Sequence, residues 1–240
     1  LSYVANNRRQ LMRNFYEKSK RSIQKAKTEG PAAYVLSASD PRPGAQAKLL
    51  EVMRKQAVEI SRATAAFTVN LPVRQTAAGG GRGGRGGGRG AGAVAAVETP
   101  AQPAQPAPPV AREFPAGSYI IRMDQPYSRI ADALLDYQYW SPNDPQKSPY
   151  DDTGWTFQYM RDIVINTVTD KSRLSQPMTA VKGHVTAPGG IAGSGPVVIV
   201  DHTGDNNVVT FRYKLKDVKM AAAEDDFEVG GRKFRAGSIV

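Results

Sequence analysis

At 240 residues, 40% hydrophobic and 22% charged, the chain is long enough for one large domain or two small ones around a proper core. It has no cysteine, which excludes disulfides, cysteine-ligated zinc or iron–sulfur sites and a cysteine nucleophile, and no apolar run long enough for a membrane-spanning helix. The formal charge of +10 is peripheral: residues 1–30 carry eight Lys/Arg against Glu17 and Glu29, residues 74–112 carry five arginines against Glu98, and the remainder balances at 19 of each sign. Such a charge bears on solubility and non-specific association rather than on fold.

Leu1 is not an initiator methionine and Val240 falls inside strand-like sequence, so the chain reads as a piece of a longer one. Residues 2–28 predict a helix, with Val4, Leu11, Phe15, Ile23 and Ala26 on one face, basic residues on the other, and Gly30-Pro31 as its stop. Tyr34-Val35-Leu36 suits a buried strand. The turn Ser39 to Gly44 follows, then a helical stripe of Leu49, Leu50, Met53 and Ala57, and a second strand beginning at Val58. Strand, helix and strand at this spacing predict a βαβ unit of a parallel sheet.

Residues 75–112 break the pattern. Ten glycines between Gly79 and Gly92 are interrupted by Arg82, Arg85 and Arg89, and a Pro/Ala/Gln stretch follows. Neither half can bury enough apolar area to offset its ordering entropy, so the segment reads as a disordered insert. Beyond it, Tyr119 to Met123 predicts a strand and Pro126 opens a helix with Ile130, Ala131, Leu134 and Leu135 inward. A Pro/Asp/Tyr-rich loop spans 139–154, a short helix starts at Trp155, and Ile163 to Val168 forms a strand. Residues 171–196 read as a long connection, and Val197-Val198-Ile199-Val200 as the clearest buried strand of the chain.

The final segment repeats the first unit. Val197 to Val200 parallels Tyr34 to Leu36, Asn207 to Lys214 the first inner helix, and Val218 to Met220 the second strand. Phe114-Pro115-Ala116-Gly117-Ser118-Tyr119-Ile120 matches Phe234-Arg235-Ala236-Gly237-Ser238-Ile239-Val240. In the second copy Phe227-Glu228-Val229 and Phe234 flank Gly230 to Lys233, a short hairpin; in the first, Phe67-Thr68-Val69 and Phe114 flank the whole insert. The insert is thereby assigned to a hairpin tip, where added length costs little.

The chemistry-bearing motifs are sparse. The Gly/Arg run lacks any aromatic between Val69 and Phe114, and is read as a low-complexity loop with no specific nucleic-acid partner. Gly189 to Gly195 leads into a strand rather than a helix, the wrong order for a phosphate cradle. Asp151 and Asp152 before a short helix read as caps rather than an acid–base pair. Asp201, His202 and Asn206 follow a strong strand, at the sheet edge where ligands of α/β proteins collect, and form the candidate polar pocket. His202 and Asp205 lack a further histidine for zinc, His184 has no evident partner, and no Gly-x-Ser-x-Gly elbow occurs. These residues assign no catalytic, cofactor-binding or metal-binding position.

Several phrases together resemble the region downstream of the catalytic domain in large bacterial zinc carboxypeptidases of the carboxypeptidase A-like type. They are Asn14-Phe15-Tyr16, Ala33-Tyr34-Val35-Leu36, Pro115 to Tyr119, Asp124-Gln125-Pro126-Tyr127, Tyr150 to Trp155 and His202-Thr203-Gly204. The resemblance implies that residues 1–30 are the last helix of an upstream peptidase domain. Residues 31–240 are then an accessory α/β domain: three-layer, glutamine amidotransferase-like (flavodoxin-like), with a mostly parallel sheet, interrupted by the insert. It further implies a secreted or periplasmic parent whose zinc and peptide substrate belong to the upstream domain. This segment has no His-x-x-Glu and no cysteine, so neither family's catalytic residues carry over. The expected role is the non-catalytic C-terminal portion of a metallocarboxypeptidase; the alternative is a standalone α/β module binding a small polar ligand.

Overall fold

A computed structural model describes residues 2–71, 109–137 and 156–240. The elements in chain order are α1 (Ser2–Asn6), α2 (Arg8–Thr28), β1 (Ala33–Leu36), α3 (Pro43–Lys55), β2 (Ser61–Ala63), β3 (Phe67–Leu71), β4 (Val110–Phe114) and β5 (Tyr119–Arg122). There follow α4 (Ser128–Leu135), α5 (Phe157–Arg161), β6 (Ile165–Val168), β7 (Met178–Ala180), α6 (Asn207–Lys214), β8 (Phe227–Val229) and β9 (Arg232–Phe234). No helix among the described residues is long and apolar enough to cross a membrane.

The main sheet has five strands in the order β6-β1-β5-β2-β7, and every neighbouring pair is antiparallel. The mostly parallel, flavodoxin-like sheet is therefore overturned. β1 and β2 do run in the same direction across α3, as a strand–helix–strand unit requires, but β5 lies between them and opposes both. The cause is the β3–β4 hairpin. A chain that leaves β2 and reverses through a hairpin returns pointing the other way, and it enters the open slot beside β2. Short bonds hold it there: Ala63 N donates to Ser118 O at 2.9 Å, and Gly117 N to Ala63 O at 2.8 Å.

Both faces of β1 are covered, which is why all four of its residues are buried. Tyr34 and Leu36 meet Leu49, Leu50 and Met53 of α3, Ala131 and Leu135 of α4, and Ala26 of α2. Ala33 and Val35 meet Phe67, Val69 and Phe114 of the hairpin, with Ile120 and Val168 beside them. Alternation along the strand sends successive side chains to the two faces. Polar groups inside are paired: Tyr34 Oη donates to Asp132 Oδ1 at 2.8 Å, and the buried Gln125 bonds both the N–H and the C=O of Glu59.

The hairpins anticipated around the two phenylalanine pairs are present. Phe67 faces Phe114, and Phe227 faces Phe234, with stacked rings 5.3 Å apart in each. The second is closed by Gly230-Gly231 alone, both at positive φ, so Arg232 and Lys233 belong to β9 rather than to the loop. In the first, Val110 to Arg112 pair with β3, so the ladder reaches further toward the tip than the 75–112 boundary allowed. The rest of the Gly/Arg and Pro/Ala segment, and the Tyr150 to Trp155 phrase, lie outside the described residues.

Four further readings are corrected. The helix expected over 2–28 divides at Asn7 into α1 and α2. The connection 171–196 contains a strand, β7, recruited to the open edge of β2. Within Val197 to Val200 only Val200 forms a bridge, to Ile239, and Val197 and Val198 are 60% and 67% exposed. Likewise Val218 to Met220 is not a strand; the bridge falls at Ala222.

Candidate functional site

The two copies match down to single hydrogen bonds. In the first, Leu36 pairs with Tyr119 and Arg62 with Tyr119; in the second, Val200 and Ala222 both bridge to Ile239. Ser118 Oγ accepts from Ala38 N at 3.1 Å, and Ser238 Oγ accepts from His202 N at 3.1 Å. Gly117 N bonds Ala63 O and Gly237 N bonds Ala223 O, each at 2.8 Å, with φ of +86° and +85°. Only glycine adopts such a φ without strain, which explains the shared Ala-Gly-Ser phrase.

The loops that follow the two equivalent strands, 37–42 and 201–206, meet each other and start α3 and α6. Asp205 joins them. Its Oδ1 accepts from Asn207 N, capping its own helix, and from Lys48 Nζ of α3, both at 2.9 Å. Its carboxylate also lies against Gly44 at the first turn of α3, where a Cβ would collide with it. The Asn207 amide foremost, and then Lys48, hold the Asp205 carboxyl below the ordinary aspartate range against the opposing effect of burial. Alongside, Arg42 pairs with Asp162, while Asp40 accepts from Arg42 N at 2.8 Å and from Val164 N at 3.2 Å.

This joint borders a cleft of about 670 Å³ lined by Pro41, Asp201, His202, Thr203, Asp226, Phe227, Glu228, Lys233, Phe234 and Arg235. Of the sequence candidates, Asp201 and His202 line it together; Asn206 is exposed at the N-cap of α6 and makes no capping bond. The His202 ring packs against Gly237, where a Cβ would stand 2.9 Å from Cδ2. Its Nδ1 is buried with no hydrogen-bond partner among the described residues. In the first copy the same position is Ala38, which needs no such partner. Asp226, Glu228, Lys233 and Arg235 were not anticipated; they lie on or next to the β8–β9 hairpin, which the tertiary structure brings beside the cleft.

His184 does have partners, contrary to the sequence reading: its Nδ1 is 3.1 Å from Glu51 Oε2 and 3.3 Å from Arg54 Nη2. Arg54 foremost, and Val185 N after it, hold Glu51 down to about 2. This cluster ties the segment after β7 to α3 and is structural. Among the described residues no group of three or more His, Asp or Glu is placed to hold a metal ion. Among the described residues the donors near His202 therefore do not make a zinc centre. Comparison with protein families, curated proteins and solved structures finds no match.

Proposed function

We propose that these residues form a non-catalytic binding module, with the cleft at the junction of its two copies receiving a small polar ligand. The observation that carries this is the His202 Nδ1, a buried polar atom with no partner among the described residues, beside a cleft and at a position where the sister copy has alanine. Buried polar atoms without partners are rare and call for a partner. Carboxylates (Asp201, Asp226, Glu228) and cations (Lys233, Arg235) line the same cleft, a mixture suited to a ligand bearing both charges. The wider reading, that the module serves a zinc carboxypeptidase as its accessory portion, rests on the six phrases that resemble that family. A free amino acid or a peptide end is the kind of ligand such a parent handles.

The test is a nitrogen-15 NMR titration of His202 and Gly237 with L-lysine, L-glutamate and alanyl-alanine. Saturable shifts in wild type, lost in His202→Ala, are expected; that substitution installs the residue of the first copy and should fold. Absence of shifts at about 10 mM, an affinity weaker than roughly 3 kcal/mol, for all three ligands overturns the binding reading. Release of a C-terminal residue from peptides by the purified chain overturns the non-catalytic one.

A further inference from the structure

The second copy is an open half-core. Leu36, Tyr34, Val58, Ile60 and Tyr119 of the first copy lie in its main buried cluster. Their equivalents Val200, Val198, Val218, Met220 and Ile239 instead line an apolar groove of about 540 Å³. The fully buried Tyr34 thus corresponds to Val198, 67% exposed. What differs is the covering. In the first copy β6 lies antiparallel along β1, Leu36 opposite Ile165, Val35 opposite Asn166 and Ala33 opposite Val168. No strand of the described residues takes that place beside 197–199.

We infer that this edge is a docking site for a partner protein's extended segment of Ile-Asn-Thr-Val type, lying antiparallel along Val197–Val200 as β6 lies along β1. The repeat specifies the segment's chemistry. In the first copy Asn166 donates through Nδ2 to Val35 O at 3.1 Å and accepts at Oδ1 from Arg112 Nη1 at 3.0 Å. Arg112 is steered to that place by lying over the Phe114 ring, 5.7 Å from its centroid. The second copy keeps this apparatus: Arg232 lies over Phe234 at 5.3 Å, and Ile199 occupies the position of Val35. Arg232 is solvent-exposed, its Nη2 standing 3.8 Å from Asp201 Oδ2. An unpaired apolar segment beside an arginine set to read an amide calls for a strand with asparagine between apolar residues. The chain's own Ile-Asn-Thr-Val, residues 165–168, is already committed to β1. This inference rests on the groove and on Arg232, independently of the cleft at His202.

The experiment tethers a second copy of the sequence of residues 162–170 to Val240 through a flexible Gly/Ser linker, at an effective concentration of order mM, and reads amide exchange at residues 197–199. Exchange at least about ten-fold slower than in the untethered chain is expected. That protection should be lost in Arg232→Met and when the tethered asparagine becomes leucine. Val198→Lys, at an exposed position, should abolish it without altering exchange in β1. Unchanged exchange with the tether overturns the inference. Protection indifferent to both the arginine and the asparagine overturns the assigned chemistry. Concentration-dependent protection of the untethered chain, with dimers in sedimentation, makes a second copy the occupant and also overturns it.

Discussion

The two phenylalanine pairs offer a matched perturbation, because their local geometry is the same and their surroundings are not. Phe114 is fully buried, with Phe67, Val69, Val35, Ile120 and Val168 in its cluster. Phe114→Ala therefore removes a large ring from a closed core and should cost about 4 kcal/mol, within the roughly 3–5 kcal/mol typical of such truncations. Phe234 stacks on Phe227 at the same 5.3 Å, but Phe227 is half-buried and Val229 is 52% exposed. Phe234 itself is 8% exposed, but it belongs to neither buried cluster, so Phe234→Ala opens no closed cavity and should cost only about 1–2 kcal/mol. The amides of Gly117 and Gly237, each bonded at 2.8 Å across its own copy, are matched reporters in native-state hydrogen exchange. At about 1.4 kcal/mol per decade, Phe114→Ala should cut protection at Gly117 about a thousand-fold. Phe234→Ala should cut Gly237 protection about ten-fold and leave Gly117 unchanged. Equal losses would refute the reasoning, since they would require the second copy to be as closed as the first.

Three other outcomes are expected. Ala57 sits at φ +59° just past the end of α3, exposed, with Val58 N bonded back to Met53 O; Ala57→Gly should relieve the left-handed strain and stabilise by about 1 kcal/mol, read as a higher denaturant midpoint at constant m. Gly44→Ala should drive the Asp205 carboxylate from α3, break the Lys48 ion pair, and appear as chemical-shift changes confined to 40–48 and 201–208. Because the folded Asp205 carboxyl lies below its unfolded value, its contribution is fully present above about pH 4 and fades as pH falls through the depressed folded value. The stability difference between wild type and Asp205→Asn, followed by urea unfolding at several pH values, should therefore shrink as the pH falls below about 4; a difference independent of pH would count against the bonds to Asn207 N and Lys48.

Local features were legible because short-range chemistry decides them. The Ala-Gly-Ser joints, the Leu49, Leu50 and Met53 stripe of α3 and the phenylalanine-flanked hairpins all follow from φ preferences and periodicity. So does the repeat, from which the matched bonds at Ser118 and Ser238 could be anticipated. By contrast, Arg232 and Lys233 of the expected loop belong to β9, and Ala57 of the expected stripe lies exposed beyond α3. Asp201 and His202 were legible as a loop after an apolar run. The charged hairpin residues beside them were not, because nothing in the spacing of 201 and 235 reports that β9 folds back over that loop.

Tertiary structure alone decided two matters. Strand order is one: a strand–helix–strand pattern predicts co-directional strands and is silent on what lies between them. Here the β3–β4 hairpin sends the chain back as β5 into that gap, converting an expected parallel sheet into an antiparallel one. Burial is the other. Tyr34-Val35-Leu36 and Val198-Ile199-Val200 carry the same apolar signal, yet the first is sealed by β6, three helices and a hairpin while the second faces solvent along the groove. An apolar run records that a segment needs cover; whether cover arrives depends on residues far away in the chain, or on another segment altogether.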